Sequence, residues 1–500
     1  MKILLIRPPI WYIRLSPGPF SLGFYTMFMT RYPPLGLLHV AGMLRAGGHD
    51  VRLVDAEAEE MEIESVVVRA RPFAPDLIVG NVNVYNSKKN FEDLIALRDA
   101  LGAKLVVRGH FPRHYPAETM ERAGVDAALT GKGFGAALAL ADALQRGEDL
   151  AAVPGIRFRR NGEVVATSDA ECPFEPDTLP FPPRDLLNHR LYSTNLTYRR
   201  PFTTMLASWG CPYHCTYCQD HNVRYRARSV DNILDEVVEC VRRHGIREIA
   251  FLDPTFGAQR KWAVEFCERL AALRLDLTFT MRTRPDLVDP EILSLLRRAG
   301  CVRISFGIES GDPEILRNLA RVVDPQSVES AVRAAAREGI MTFGYFMVGN
   351  KGESAESLAH TMDLVRRLPL HFAQFFETIP LPGTEALEDT KRALGIDPWR
   401  EINAGWTPEP SVFIPQDIRV TPAELRAWTR TLYAEMYLNP RRWTALLRMK
   451  YLPAYVFRQI DVALFVSRLW VLRRIRRRLP GFLVSRFSPT PRASSAEAAT

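Results

Sequence analysis

Three cysteines fall within eight residues, at Cys211, Cys215 and Cys218, directly behind an apolar run that ends at Gly210. Thiols at this density just past a strand are metal ligands far more often than core packing. The chain must therefore hold a ligand loop on the end of a strand. A closed iron–sulfur or structural zinc site uses four ligands, and three cysteines are offered. Three thiolates on a [4Fe–4S] cubane leave one iron open, which is what a catalytic metal needs. The other arrangement is zinc, with His221, three residues past Cys218, completing a Cys3His set.

The surroundings alternate short apolar runs with helical periodicity. Over residues 1–150 strands are expected at Lys2–Ile6, Asp50–Val54, Asp76–Gly80, Lys104–Val107 and Ala127–Thr130. Helices are expected at Leu35–Ala46, Glu60–Ala70, Lys88–Leu101, Pro116–Ala123 and Gly135–Leu144. This is the pattern of a doubly wound, Rossmann-like parallel sheet, an α/β fold whose ligands sit at the carboxyl ends of the strands. Residues 151–200 read as a connector, with a hairpin around Asn161-Gly162 and a proline-rich stretch from Pro173 to Pro183. From Thr203 to Ile379 six further strand–helix units suggest a partial (β/α)6 TIM-type barrel with chemistry at its strand ends.

Composition narrows the class. The 500 residues are 47% hydrophobic and 24% charged, values of a globular protein with more than one core. Seven cysteines, three of them clustered, fit a reducing compartment, so a cytoplasmic location is expected. Met1–Ile6 reads as a first strand and not as a secretory signal. No apolar run reaches the roughly 18–20 residues of a membrane span. The net charge of +8 is uneven: between Asn439 and Arg492 stand 13 Lys/Arg against one acid, Asp461. The basic character belongs to that segment, so a nucleic-acid-binding core is not expected.

The spacing C-x3-C-x2-C, with Tyr217 before the last cysteine, resembles the signature of the radical S-adenosylmethionine (SAM) enzymes. In that family the three cysteines hold a [4Fe–4S] cluster. The open iron binds the amino and carboxylate groups of SAM, and an external donor of flavodoxin or ferredoxin type drives its cleavage to methionine and a 5′-deoxyadenosyl radical. The resemblance implies SAM contacts for Tyr217, for Asp253 after the second barrel strand, and for Arg282 and Arg284 after the third. It implies the same for Glu309 within Gly307-Ile308-Glu309-Ser310-Gly311 and for Gly349 on the adenine side. Pro380-Leu381-Pro382-Gly383-Thr384 matches a further segment of the family.

Residues 1–150 resemble the cobalamin-binding domain that precedes the radical core in one subgroup, through Arg7-Pro8-Pro9, Tyr32–Leu37, Gly47-Gly48-His49 and Ala74–Gly80. This implies cobalamin at Asn81, Gly109, His110, Gly131 and Gly133. The chain departs from the subgroup at Arg108, Lys132 and Phe134, where glycine and acidic residues are usual. It offers no Asp-x-His-x-x-Gly, hence no expected histidine ligand to cobalt.

The resulting layout is a cobalamin-binding-like domain over 1–150, a connector over 151–200 and a radical SAM core over 201–415. A basic helical region over 416–487 and a disordered tail over 488–500 follow. It is most similar to the subgroup of the anaerobic magnesium-protoporphyrin monomethyl ester cyclase and the cobalamin-dependent radical methylases. The implied reaction is methylation of an unactivated carbon or phosphinate centre in a small molecule. The alternatives are radical oxidation or cyclisation without methyl transfer, and a non-catalytic membrane-associated iron–sulfur protein. The C-terminal helices, with Phe465, Leu469 and Trp470 beside Arg473–Arg478, suit peripheral contact with an anionic inner-membrane face. Their other reading is a helical cap on the barrel.

Overall fold

The computed structural model describes residues 1–9, 31–131, 133–168, 175–194, 196–221, 223–321, 323–404, 413 and 417–439. The expected helices after Asn439, the tail, Lys132 and Cys172 lie outside the described residues.

The N-terminal sheet is built from β1 (Lys2–Arg7), β2 (Asp50–Asp55), β3 (Leu77–Asn81), β4 (Lys104–Arg108), β5 (Ala127–Leu129), β6 (Ile156–Arg160) and β7 (Glu163–Ala166), in the order 2-1-3-4-5-6-7. Its first five strands are parallel and the last two antiparallel. The hairpin expected in the connector thus completes this sheet. It gives an otherwise parallel sheet an antiparallel edge, a common way to end one. Alternation along β1 sends Ile3 and Leu5 into one core and Leu4 and Ile6 into the other, so both faces are covered. Helix α1 (Leu35–Ala46) covers one face; α2 (Ile63–Ala70) and α3 (Ser87–Leu101) cover the other. Helix α2 starts three residues later than expected, because Glu60 takes a left-handed φ of 55°. Past β4 the chain turns at once into a short helix, α4 (His110–His114), where only a loop was expected. Helix α5 (Pro116–Met120) follows it.

Helix α6 (Phe134–Arg146) closes the first lobe. The second sheet holds β8 (Phe202–Met205), β9 (Glu248–Phe251), β10 (Thr278–Thr283), β11 (Cys301–Glu309), β12 (Met341–Val348) and β13 (Phe372–Glu377) in sequential order, all parallel. It is the expected open six-stranded barrel. Several of the helices wrapping it begin with side-chain caps that the sequence advertises. Asp289, Asp312 and Asp324 each precede a proline and accept backbone N–H bonds from the first turn. Helix α7 (Val230–His244) is capped by Ser229. Helix α12 (Ala355–Arg367) and the last described helix, α15 (Pro422–Tyr437), open with capping boxes at Ser354 and Thr421. Helix α15 buries Leu425, Leu432 and Met436 in the barrel core. Among the described residues no helix is long and apolar enough to cross a membrane.

Candidate radical and corrinoid site

The cysteine loop is rooted by Asp253, the residue after Leu252 at the end of β9. Its buried carboxylate accepts the Ala207 N–H at 3.1 Å and the Ser208 hydroxyl at 2.6 Å. Burial pushes this carboxyl up, and those hydrogen bonds oppose the shift. Asp253 is therefore spent on the loop root. Ser208-Trp209 then pairs with Arg226-Ala227, and Gly210 follows at φ 71°. A Cβ there would stand 2.4 Å from the Val223 carbonyl, so only glycine lets the loop close.

Each cysteine sulfur meets one donor. The Thr255 hydroxyl is 3.4 Å from Cys211, the Asp220 N–H is 3.4 Å from Cys218, and the Arg321 guanidinium is 3.9 Å from Cys215. Burial, and next the charge of Asp220 and the neighbouring thiols, push the Cys218 thiol up to about 11, with the Asp220 N–H pulling the other way. Binding metal there must displace protons. Among the described residues no three His, Cys, Asp or Glu side chains converge closely enough for a single ion. His221 turns its Nδ1 to the Cys218 carbonyl at 2.6 Å, and no Cys3His set for one zinc ion is gathered among the described residues. A cubane differs, because each thiolate takes its own iron and the sulfurs stand apart. Three neighbouring thiols, each with a donor at its sulfur, fit it.

Beside the cysteines, Tyr217 donates to the buried carboxylate of Glu309. Burial raises Glu309, and Arg321, Tyr217 and Arg284 counter it. Glu309 sits at φ 69° on an irregularity in the pairing of β11 with β12. That bulge aims its side chain back over Gly307, where a Cβ would be 2.7 Å from Glu309 Oε1. Arg284 is held by Asp286 at 2.8 and 2.9 Å and lies 3.8 Å over the Tyr213 ring. Arg282 is solvent-exposed and donates to the Leu252 carbonyl at 3.0 Å. Gly349 is set apart from these: its N–H goes to Glu353, and a Cβ on it would meet Leu425 of α15 at 2.9 Å.

On the other sheet, Asn81 accepts from Arg108 at 3.2 Å, and Gly109 takes φ 120° with its Cα against the Val82 carbonyl. Gly133 opens α6 at φ 79°, and Gly131 lies just before it. The Arg108 guanidinium rests on Gly36, 3.3 Å from where a Cβ would stand, and burial pushes it down to about 10. His110 is crowded by protein yet open to solvent, as a side chain lining a cleft is. That crowding and the cations Arg113 and Arg108 lower it, while Asp220 and a bond to Gln219 raise it. An amide, an imidazole, a cation and glycines at the carboxyl ends of β3, β4 and β5 suit a corrinoid with an amide fringe and an anionic phosphodiester.

Sequence reasoning missed Thr255, Ser208, Gln219 and Arg321. Thr255 stands two residues after Asp253 and Ser208 two before Gly210, but no motif marks Arg321, which follows a short helix.

Residues 207–365 match the family model of the radical SAM superfamily, and residues 27–141 match that of the B12 binding domain. An uncharacterized methyltransferase of Pyrococcus horikoshii is 29% identical over 394 residues, 78% of this chain and 83% of its own length. The anaerobic magnesium-protoporphyrin IX monomethyl ester cyclase of Rubrivivax gelatinosus is 27% identical over 72% of this chain and 66% of its own. The solved structure of the radical S-adenosylmethionine methyltransferase TsrM from Kitasatospora setae, with cobalamin and [4Fe-4S] cluster bound, matches with a TM-score of 0.64. That likeness of fold spans 85% of this chain and 81% of TsrM at 20% identity.

Proposed function

We propose that this chain, a radical SAM enzyme whose N-terminal sheet is a B12-binding domain, transfers a methyl group to an unactivated carbon or phosphinate centre of a small molecule. When bound, the cluster and SAM supply a 5′-deoxyadenosyl radical that abstracts hydrogen, and cobalamin supplies the methyl group that replaces it. Cys211, Cys215 and Cys218 hold the cluster. Tyr217 and Glu309 form the polar wall on which SAM is oriented, and the accessible guanidinium of Arg282 binds its polar end. Asp253 keeps the loop root rigid. Asn81, Gly109, His110, Gly131 and Gly133 line the corrinoid side. An external flavodoxin- or ferredoxin-type donor supplies the electron.

The observation that carries this reading is that the carboxyl ends of the two sheets meet. His110, first residue past Gly109 at the end of β4, bonds the side chain of Gln219, the residue after Cys218. Gln219 in turn donates to the Pro382 carbonyl at 2.9 Å. Two cofactors held at those ends would share one space with a substrate. The test is anaerobic: reconstituted protein with cobalamin, SAM and a low-potential reductant should yield both S-adenosylhomocysteine and 5′-deoxyadenosine. Formation of 5′-deoxyadenosine alone would replace methyl transfer with oxidation or cyclisation. Cys215→Ala should lose the cluster's iron and 5′-deoxyadenosine formation.

A further inference from the structure

The three cysteine sulfurs are not equivalent in the charge they face. Thr255 and Asp220 offer neutral donors to Cys211 and Cys218, but Cys215 faces a guanidinium, Arg321 Nη1 at 3.9 Å. Cys215 and Arg321 are both buried, 6% exposed each. The arginine is held in place from several sides. Its Nη2 donates to the Gly307 carbonyl, and its backbone N–H to Leu316 at 2.8 Å. The preceding Ala320 is in the left-handed region at φ 49°, an uncommon conformation for alanine that reverses the chain past the helix Pro313–Asn318. The same turn clasps the cysteine loop, since Thr216 N–H bonds the Leu319 carbonyl at 3.2 Å. The other arginine nearby, Arg284, is neutralised by Asp286. The strongest opposite charge acting on Arg321 is the buried Glu309 carboxylate, which also takes the Tyr217 hydroxyl.

We infer that Arg321 is a positioning residue that raises the reduction potential of the cluster through its bond to the Cys215 thiolate. This rests on the reading of the cysteines as cluster ligands. A [4Fe–4S]2+ core with three thiolates carries one negative charge, and two once an electron is added. The fixed cation stabilises the more negative state more. Hydrogen bonds to sulfur and local charge are among the recognised determinants of cluster potential. The low effective dielectric of a buried site strengthens the effect over what an exposed arginine could exert. The redox step balances simply. One electron passes from an external low-potential one-electron donor, which is oxidised, to the cluster, and no proton moves because Arg321 is already charged.

Anaerobic redox titration of the reconstituted full-length protein, followed by the electron paramagnetic resonance signal of the reduced cluster, tests this. Wild type, Arg321→Lys and Arg321→Gln are compared, with iron and sulfide counted in each. The expected result is full iron in all three and a midpoint at least tenfold less favourable for reduction in Arg321→Gln, about 59 mV lower for one electron. Arg321→Lys, which keeps the charge and loses the fork, should fall between. An unchanged midpoint in a fully loaded Arg321→Gln overturns the proposal, as does equal iron loss in both variants, which would make Arg321 a structural tie only. A wild-type protein with no cubane signal would instead overturn the cluster reading itself.

Discussion

At the scale of single residues, the site depends on side chains folded back over glycine. Gly307 carries both the Glu309 carboxylate and the Arg321 guanidinium above its Cα; a Cβ there would stand 2.7 Å from the first and 2.9 Å from the second. Gly307→Ala should therefore displace both without touching a cysteine. The expected outcome is full cluster iron with SAM affinity lowered about tenfold, or about 1.4 kcal/mol, read by anaerobic calorimetric titration. Unchanged SAM affinity would remove Glu309 from the SAM wall. The cysteines and Glu309 were legible because their spacing and flanking glycines form a pattern. Arg321 was not, because an arginine at the end of a short helix is ordinary in sequence and gains its meaning from a fold that brings residue 321 to residue 215. Phe134 shows a departure acquiring a reason: its ring lies 5.3 Å from His39, which in turn lies 5.6 Å from Trp209 of the cysteine loop.

At the scale of elements, most strands and helices could be read because caps and apolar period agreed. Helix α7, for example, runs over Val230–His244 between the Ser229 cap and Gly245. The junctions were less legible. The loop between β12 and α12 is organised by Glu353, which is fully buried and accepts the N–H groups of Gly349 and Asn350. Burial is the largest influence on it and raises its carboxyl to about 7. An unfolded glutamate titrates near 4.3. Between those values the folded chain keeps a proton that the unfolded chain has released. Stability therefore falls as pH rises through that window, by up to about 4 kcal/mol. Glu353→Gln, neutral throughout, should remove this slope. Urea denaturation of both proteins from pH 5 to 8 should show wild type losing stability relative to the variant as pH rises. Parallel curves would mean that Glu353 is ionised in the folded state at all these values.

At the scale of the whole described structure, the proposed function depends on how the sheet ends are held together. The connector contributes a buried ion triad. Arg184 reaches Glu236 of α7 at 2.6 Å, and Arg228 bonds the other carboxylate oxygen. Removing the shared carboxylate with Glu236→Ala would leave two buried cations, at a cost of about 3–5 kcal/mol, measurable by chemical denaturation. That tie governs stability; a second contact governs alignment. Gly383, in the Pro-Leu-Pro-Gly-Thr segment after the barrel, takes φ 82°, and its Cα faces His114 of α4, with a Cβ position only 2.4 Å from the imidazole Cε1. Sequence marks this glycine as a turn but cannot say that a histidine of the other sheet sits on it. Gly383→Ala adds both left-handed strain and a clash across the join, for a cost of about 2 kcal/mol. Neither residue touches the cysteines, so iron content and 5′-deoxyadenosine formation should stay near wild type. On the proposed reading, formation of S-adenosylhomocysteine needs the corrinoid side aligned with the SAM side, and it should fall several-fold. Adding His114→Ala makes room for the new methyl group and should restore much of it, leaving the strain at φ 82° as the residue of the effect. If both products fall together in Gly383→Ala, or the second substitution restores nothing, the two ends do not work as one aligned site.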